Sequence, residues 1–126
     1  MLRKNKIALG IVLLSALLTT STNANVMRDS QGLEIIIGPV GEGYYENVHI
    51  ISSTVGVISS GESIIVNSVI EAPICVRATG INLTIRGSNL YCDLCVQFTG
   101  RALINNKFMN NKCEGQFTNR PDVFGM

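Results

Sequence analysis

The sequence is poor in the residues from which many catalytic and metal centres are built. Its 126 residues contain no tryptophan, three prolines and one histidine, His49. One histidine excludes centres that need several imidazole ligands, and we interpret His49 as a partly exposed strand residue. Charge is also sparse, since charged residues make up 15% of the protein and the net charge is +1. Nucleic-acid binding and a polybasic membrane patch are therefore not expected, because both need clustered Lys and Arg.

No apolar run is long enough to cross a membrane, which needs about 20 residues. The main run, from Ile7 to Leu18, follows Arg3, Lys4 and Lys6. Small residues follow it in the segment 22–24, Thr-Asn-Ala. This order is typical of a bacterial secretory signal peptide that is cleaved after residue 24, and it predicts a mature protein without a membrane span.

The mature part contains an even number of cysteines. They are Cys75, Cys92, Cys95 and Cys113. In a small exported domain this number predicts two disulfides and an oxidising compartment. The expected location is the periplasm, the cell surface or the medium.

A short motif, a valine followed four residues later by glycine, recurs along the mature sequence. It occupies residues 57–61, 76–80 and 96–100, and residues 115–119 are a variant. Gly41 followed by Tyr44 marks a less regular first copy. A period near 20 residues is typical of stacked units that bury their apolar faces against each other.

The repeating unit is predicted to be strand-rich, because apolar residues alternate within the motif and β-branched residues dominate 64–66 and 81–85. We therefore predict an all-β fold, a small parallel β-solenoid of four to five turns. A β-sandwich with evenly spaced strands is the alternative.

Stacked turns would align equivalent residues in ladders. One inward ladder would be Val57, Val76 and Val96, and another Ile64, Leu83 and Leu103. A hydroxyl ladder would be Ser60, Thr79, Thr99 and Thr118. Gly61, Gly80 and Gly100 would form a column at one corner, where glycine tolerates positive φ, with Asn119 in place of a fourth glycine.

The repeat length, the corner glycines and the asparagine-rich segment 105–111 resemble the right-handed parallel β-helix proteins, of which pectate-lyase-like domains are the best known. The resemblance covers residues 40 to 119 and concerns architecture alone. No catalytic residue of the lyases or hydrolases can be placed on this sequence.

Two disulfide pairings fit the repeat. Cys75 and Cys95 each precede a motif valine, so they would share a column in neighbouring turns and pair, leaving Cys92 to pair with Cys113. The alternative pairs Cys75 with Cys92 and Cys95 with Cys113. The C-x-x-C spacing of Cys92 and Cys95 lacks the helix typical of redox pairs, and zinc is not expected from one close couple of cysteines. We assign no catalytic, metal-binding or cofactor-binding residue.

Tyr44 and Tyr45 are the candidate ligand contacts. Adjacent strand residues point to opposite faces, so one ring faces outward, where it can stack on a sugar or a partner. Glu42 and Glu62 each follow a corner glycine and would share a column. Two stacked carboxylates could hold a cation, although solvent-facing turn positions explain them more simply.

These features favour a non-catalytic binding or structural module at the cell envelope or surface, with an envelope protein or glycan as partner. The alternatives are an accessory or inhibitor subunit for secretion or surface-fibre assembly, and a carbohydrate-active enzyme of β-helix type. The enzyme is disfavoured because so few turns leave little room for a cleft. Open solenoid ends would permit oligomers. The expected organisation is a signal peptide 1–24, a cap or linker 25–40, repeats 41–119 and a tail 120–126.

Signal cleavage can be tested by intact-mass analysis of the exported protein. We expect a species that begins at Asn25, because the small residues before it suit signal peptidase. A membrane-bound species that retains Met1 would contradict this expectation.

Overall fold

The structure is a computed structural model. It describes residues 26–120, and no helix in that range could cross a membrane. The predicted signal peptide with its cleavage site, and tail residues 121–126, lie outside the described residues. The described residues belong to two compact units, with the boundary between Ile35 and Ile36. The strands are β1 (Glu34–Ile37), β2 (Tyr44–Glu46), β3 (Val48–Ile51), β4 (Val55–Ser59), β5 (Ser63–Val66), β6 (Val69–Ala78), β7 (Leu83–Arg86), β8 (Asn89–Phe98), β9 (Lys107–Met109), β10 (Lys112–Cys113) and β11 (Gln116–Thr118).

The described part of the first unit contains a tight turn. The Asp29 carboxylate accepts hydrogen bonds from the backbone N–H groups of Gln31 and Leu33, at 2.9 and 2.8 Å. An antiparallel bridge between Arg28 and Glu34 follows from this turn. The assignment of residues 25–40 as a cap or linker stays a prediction.

The second unit is a parallel β-solenoid of about 4 turns, as predicted. In each turn one short strand joins the sheet β2-β5-β7-β9. The rest of each turn belongs to a larger sheet. It consists of β3 and β4 in the first turn, β6 in the second, β8 in the third, and β10 and β11 in the fourth. All these strand pairs are parallel. The β-sandwich alternative is therefore wrong, because its sheets are antiparallel.

The long strands β6 and β8 bend near their middle. The Ile70 carbonyl oxygen lies 3.6 Å from Cys75 Sγ, and the Leu90 oxygen lies 3.7 Å from Cys95 Sγ. Five residues of straight strand would span about 17 Å. In the first and last turns the strand is interrupted at the same place, between β3 and β4 and between β10 and β11. Each turn therefore contains three strand segments.

The predicted valine ladder is confirmed. Val57 pairs with Val76 and Val76 with Val96, and all three side chains are fully buried. A second inward column, before the bend, consists of Ile50, Ile70 and Leu90. Their burial against neighbouring turns is the main source of hydrophobic stabilisation, since burying one such side chain contributes about 1.5–3 kcal/mol.

The second predicted ladder is wrong in register. Leu83 pairs with Ser63, whereas Ile64 pairs with Thr84 and is half-buried. The inward column of the short sheet is instead Tyr45, Ile65, Ile85 and Phe108. The cause is corner length: three residues separate β4 from β5, but four separate β6 from β7. Counting from the glycine therefore misplaces the next strand.

The last repeat is also shifted, by three residues. Thr118 pairs with Val96 and Gln116 with Leu94, so Thr118 joins the valine column and not the hydroxyl ladder. The longer corner before the last turn accounts for the shift, because eight residues separate β8 from β9 whereas four separate β6 from β7. Ser60 and Thr79 keep the register of the predicted hydroxyl ladder. The Thr79 N–H donates to the carbonyl oxygen of Ser59, the residue before Ser60.

The regular left-handed corner differs from the predicted glycine column. Its members are Asn47, Asn67, Gly87 and Asn110, with φ of 57°, 49°, 63° and 58°. Of the three predicted corner glycines only Gly80 has a positive φ, 101°. Gly100 is needed for close approach, since a Cβ there would lie 2.1 Å from the Thr79 oxygen. The asparagine-rich segment 105–111, predicted as one turn, consists of two corners on either side of β9, with positive φ at Asn105 and Asn110.

Side chains form hydrogen bonds to the backbone at positions where neighbouring strands do not pair. Val48 N–H donates to Ser68 Oγ, and Ser68 N–H donates to Ser88 Oγ, at 3.2 and 3.1 Å. At the last turn, the amide groups of Asn106, Asn111 and Asn119 each accept a backbone N–H and donate to a backbone carbonyl oxygen of earlier residues. These contacts spare buried groups the cost of lost hydrogen bonds.

The expected in-column disulfides are wrong, and the alternative pairing is present. Cys75 bonds to Cys92 and Cys95 to Cys113, with Cα–Cα distances of 5.6 and 6.3 Å. Facing residues of a parallel pair point the same way, with Cβ atoms about 4.8 Å apart, whereas a disulfide needs about 3.8 Å. Both bonds cross the bend diagonally and join the second turn to the third, and the third to the fourth.

Val96→Asp should lower the free energy of unfolding by at least about 3 kcal/mol, because the new carboxylate would be buried against apolar neighbours. The control Gln97→Ser alters a half-buried side chain that accepts a hydrogen bond from Arg77 Nε at 2.7 Å. It should cost about 1 kcal/mol. Urea unfolding of both variants measures the difference, and equal losses would contradict the register.

The disulfide pairing can be read from peptides of the non-reduced protein. Trypsin leaves Cys92 and Cys95 on one peptide, so a second protease that cleaves before Asp93 is needed. We expect Cys92 linked to Cys75 and Cys95 linked to Cys113. Recovery of a Cys75–Cys95 peptide would restore the in-column pairing.

Candidate functional site

A groove lies on the outer side of the larger sheet, beside the bend, with a volume of about 530 Å³. Its lining includes Ile51 from the first turn, Glu71 and Pro73 from the second, Tyr91 and Asp93 from the third, and Glu114 from the fourth. The groove therefore crosses successive turns along the solenoid axis.

Strand alternation directs these side chains outward. Ile70 and Leu90 are fully buried, so Glu71 and Tyr91, the next residues, face solvent. Glu71 pairs with Ile51 on one side and with Tyr91 on the other. One column of the groove therefore places an aliphatic, an acidic and an aromatic side chain on consecutive turns.

Close backbone packing shapes the end of the groove at the last turn. A Cβ at Gly115 would lie 2.2 Å from the Cys92 carbonyl oxygen and 2.3 Å from that of Asp93. Only glycine permits this approach without displacement of the backbone. The disulfide of Cys92 lies in the same region and joins the second and third turns there.

His49 lies at the edge of this surface. Its Nε2 contacts Glu71 Oε2, and the two side chains are 13% and 38% exposed. The contact can orient the Glu71 carboxylate or the imidazole ring. The Ser52 hydroxyl, which also lines the groove, accepts the Thr54 N–H at 3.2 Å. Ser52 therefore stabilises the backbone of its own turn.

The two candidate tyrosines point to opposite faces, as alternation predicts. Tyr44 is 63% exposed, and its hydroxyl donates to Glu46 at 2.7 Å. This hydrogen bond raises the Tyr44 pKa above its ordinary value. Tyr45 packs against the core, its hydroxyl donates to the Gly41 oxygen at 2.6 Å, and burial raises its pKa. Tyr44 shares a smaller hollow with Glu62. A ligand role for either tyrosine stays a prediction.

Glu42 forms hydrogen bonds at the corner after β4. Its Oε1 accepts hydrogen bonds from the Ser60 N–H and hydroxyl, at 2.9 and 3.0 Å. This contact favours the turn interpretation of Glu42. Within residues 26–120 no group of three or more His, Cys, Asp or Glu side chains is placed to hold a metal ion.

The groove residues do not stand out as a site in the sequence. Glu71 is one of several scattered acids there, and Tyr91 and Glu114 belong to no motif. Asp93 lies within the C-x-x-C spacing, to which we assign no chemistry. A register argument can join two of them, because Glu71 and Tyr91 each follow an inward apolar residue at a spacing of one turn.

The fold is shared with parallel β-helices in general. Comparison of the sequence and structure with protein-family models, curated proteins and solved structures finds no significant match.

Proposed function

We propose that the protein is an exported, non-catalytic module that binds a glycan of the cell envelope in the axial groove. The observation that carries this proposal is the convergence of one partly exposed tyrosine and three carboxylates on a groove that crosses several turns. A tyrosine ring offers an apolar surface for a sugar ring. Carboxylate oxygens accept strong hydrogen bonds from hydroxyl groups.

The dimensions of the groove suit a short stretch of polymer. Successive turns lie about 4.8 Å apart, so the lining from the first turn to the fourth spans about 14 Å. Tyr91 lies between Glu71 and Glu114 along this direction and is 36% exposed. A ligand lying along the axis would meet the ring and both acidic side chains.

Two features support export. The four cysteines form two disulfides, which persist in oxidising compartments. Residues 1–24 also contain the basic and apolar segments that are typical of a signal peptide.

Binding can be measured by co-sedimentation of the mature, disulfide-bonded protein with purified peptidoglycan sacculi. Tyr91→Ala should weaken binding about tenfold, which corresponds to about 1.4 kcal/mol. Tyr91→Phe should retain most of the affinity, because the ring remains. Tyr44→Ala is the matched control, since it removes an exposed tyrosine ring from the opposite sheet.

Loss of binding in Tyr44→Ala but not in Tyr91→Ala would move the site to the short sheet. Absence of binding to sacculi by the unchanged protein, with its disulfides intact, would overturn the proposed ligand.

A further inference from the structure

Charge is distributed unevenly along the solenoid. Residues 36–76 include four acidic and no basic side chains (Lys or Arg), whereas residues 77–120 include six basic and two acidic ones. The turns follow sequence order, so this asymmetry runs along the axis. Glu42 and Glu46 lie in the first turn, and Glu62 lies in the corner that follows it. The corner before the last turn carries Arg101, the last turn carries Lys107 and Lys112 with Glu114 as its acidic member, and Arg120 follows β11. Apart from the half-exposed Arg120, these side chains are exposed.

The first turn has an open strand edge at β2. Ile64 N–H donates to the Gly43 oxygen, and Asn47 N–H donates to the Val66 oxygen, at 2.9 and 3.1 Å. Backbone groups alternate in direction along a strand, so those of residues 44 and 46 point away from β5. Within residues 26–120, β2 and β9 are the outer strands of the short sheet.

The neighbouring edges of the first turn are covered by the protein itself. Gly38 N–H donates to the Ile51 oxygen at 2.8 Å, and Val40 bridges to Val57. The available contact at this end therefore centres on β2. At the other end, the strands of the last turn, β9 to β11, present their outer edges in the described part of the protein.

We propose that copies of this protein associate head to tail, with the basic last turn of one copy against the acidic β2 edge of the next. Opposite charge on the two ends attracts them, whereas a symmetric contact between two first turns or two last turns would oppose like charges. Unpaired strand edges supply backbone hydrogen bonds at the contact. Such a heterologous contact builds an open series of copies. This inference does not depend on the proposed glycan site.

Sedimentation velocity of the mature protein tests the inference. Lowering NaCl from about 1 M to about 0.1 M, which lengthens the Debye length from about 3 to about 10 Å, should shift the protein from monomer to a concentration-dependent series. A head variant, Glu46→Lys with Glu62→Lys, should be monomeric at both salt concentrations. A tail variant, Lys107→Glu with Lys112→Glu, should behave in the same way.

The decisive measurement mixes the two variants at low salt. An equimolar mixture should restore the concentration-dependent series, with the two variants alternating along it. The reversed first turn of the head variant would lie against the reversed last turn of the tail variant. The native last turn of the head variant would lie against the native first turn of the tail variant. Both contacts join opposite charges, whereas copies of one variant repel each other. Arg86→Glu, a charge reversal in the third turn, should keep the native distribution. Thermal unfolding and disulfide mapping identify any variant that fails to fold.

Tyr44→Pro offers an independent check, since it removes an N–H that points to the open edge and changes no charge. It should weaken association at low salt. The inference is overturned if the native protein stays monomeric at low salt, if the reversed variants still associate alone, or if their mixture stays monomeric.

Discussion

Parallel pairing in register is the constraint on which this structure depends. Hydrogen bonds between successive turns hold each residue beside its counterpart at about 4.8 Å, so a position buried in one turn is buried in the next. Val57, Val76 and Val96 obey this rule without exception. The same constraint acts at the corners, where Ser68 and Ser88 supply the hydrogen bonds that strand pairing no longer provides.

The architecture could be predicted from the sequence because its signals repeat. The motif valines and their spacing are sufficient to place one ladder and the parallel stack. Corner length is not predictable in the same way, since an extra residue at a corner costs little and leaves no periodic signal. That single residue moves Ile64 out of the ladder and places Leu83 beside Ser63. The in-column disulfide prediction is wrong because sharing a column does not bring two sulfurs to bonding distance, which is reached diagonally across the bend.

The candidate site is less accessible from sequence than the fold. A groove depends on where the outward side chains of several turns meet, and this requires the register of each turn and the position of the bend. Glu71 and Tyr91 follow regular strand alternation, so a correct register brings them together. Asp93 and Glu114 lie at the bend, whose geometry the repeat does not reveal. The exposed ring of Tyr44 and the core position of Tyr45 follow from alternation alone.

The corners also differ in how many residues they contain. Eight residues separate β8 from β9, whereas three separate β4 from β5, yet Phe108 still lies beside Ile85 and the sheet continues in register. Arg101 and Ile104 in this longer corner are exposed. Added residues at this corner therefore do not disturb the pairing of the core side chains. An epitope or peptide tag grafted between residues 100 and 104 would be displayed on the surface, and variation between related proteins would be tolerated best at the same point.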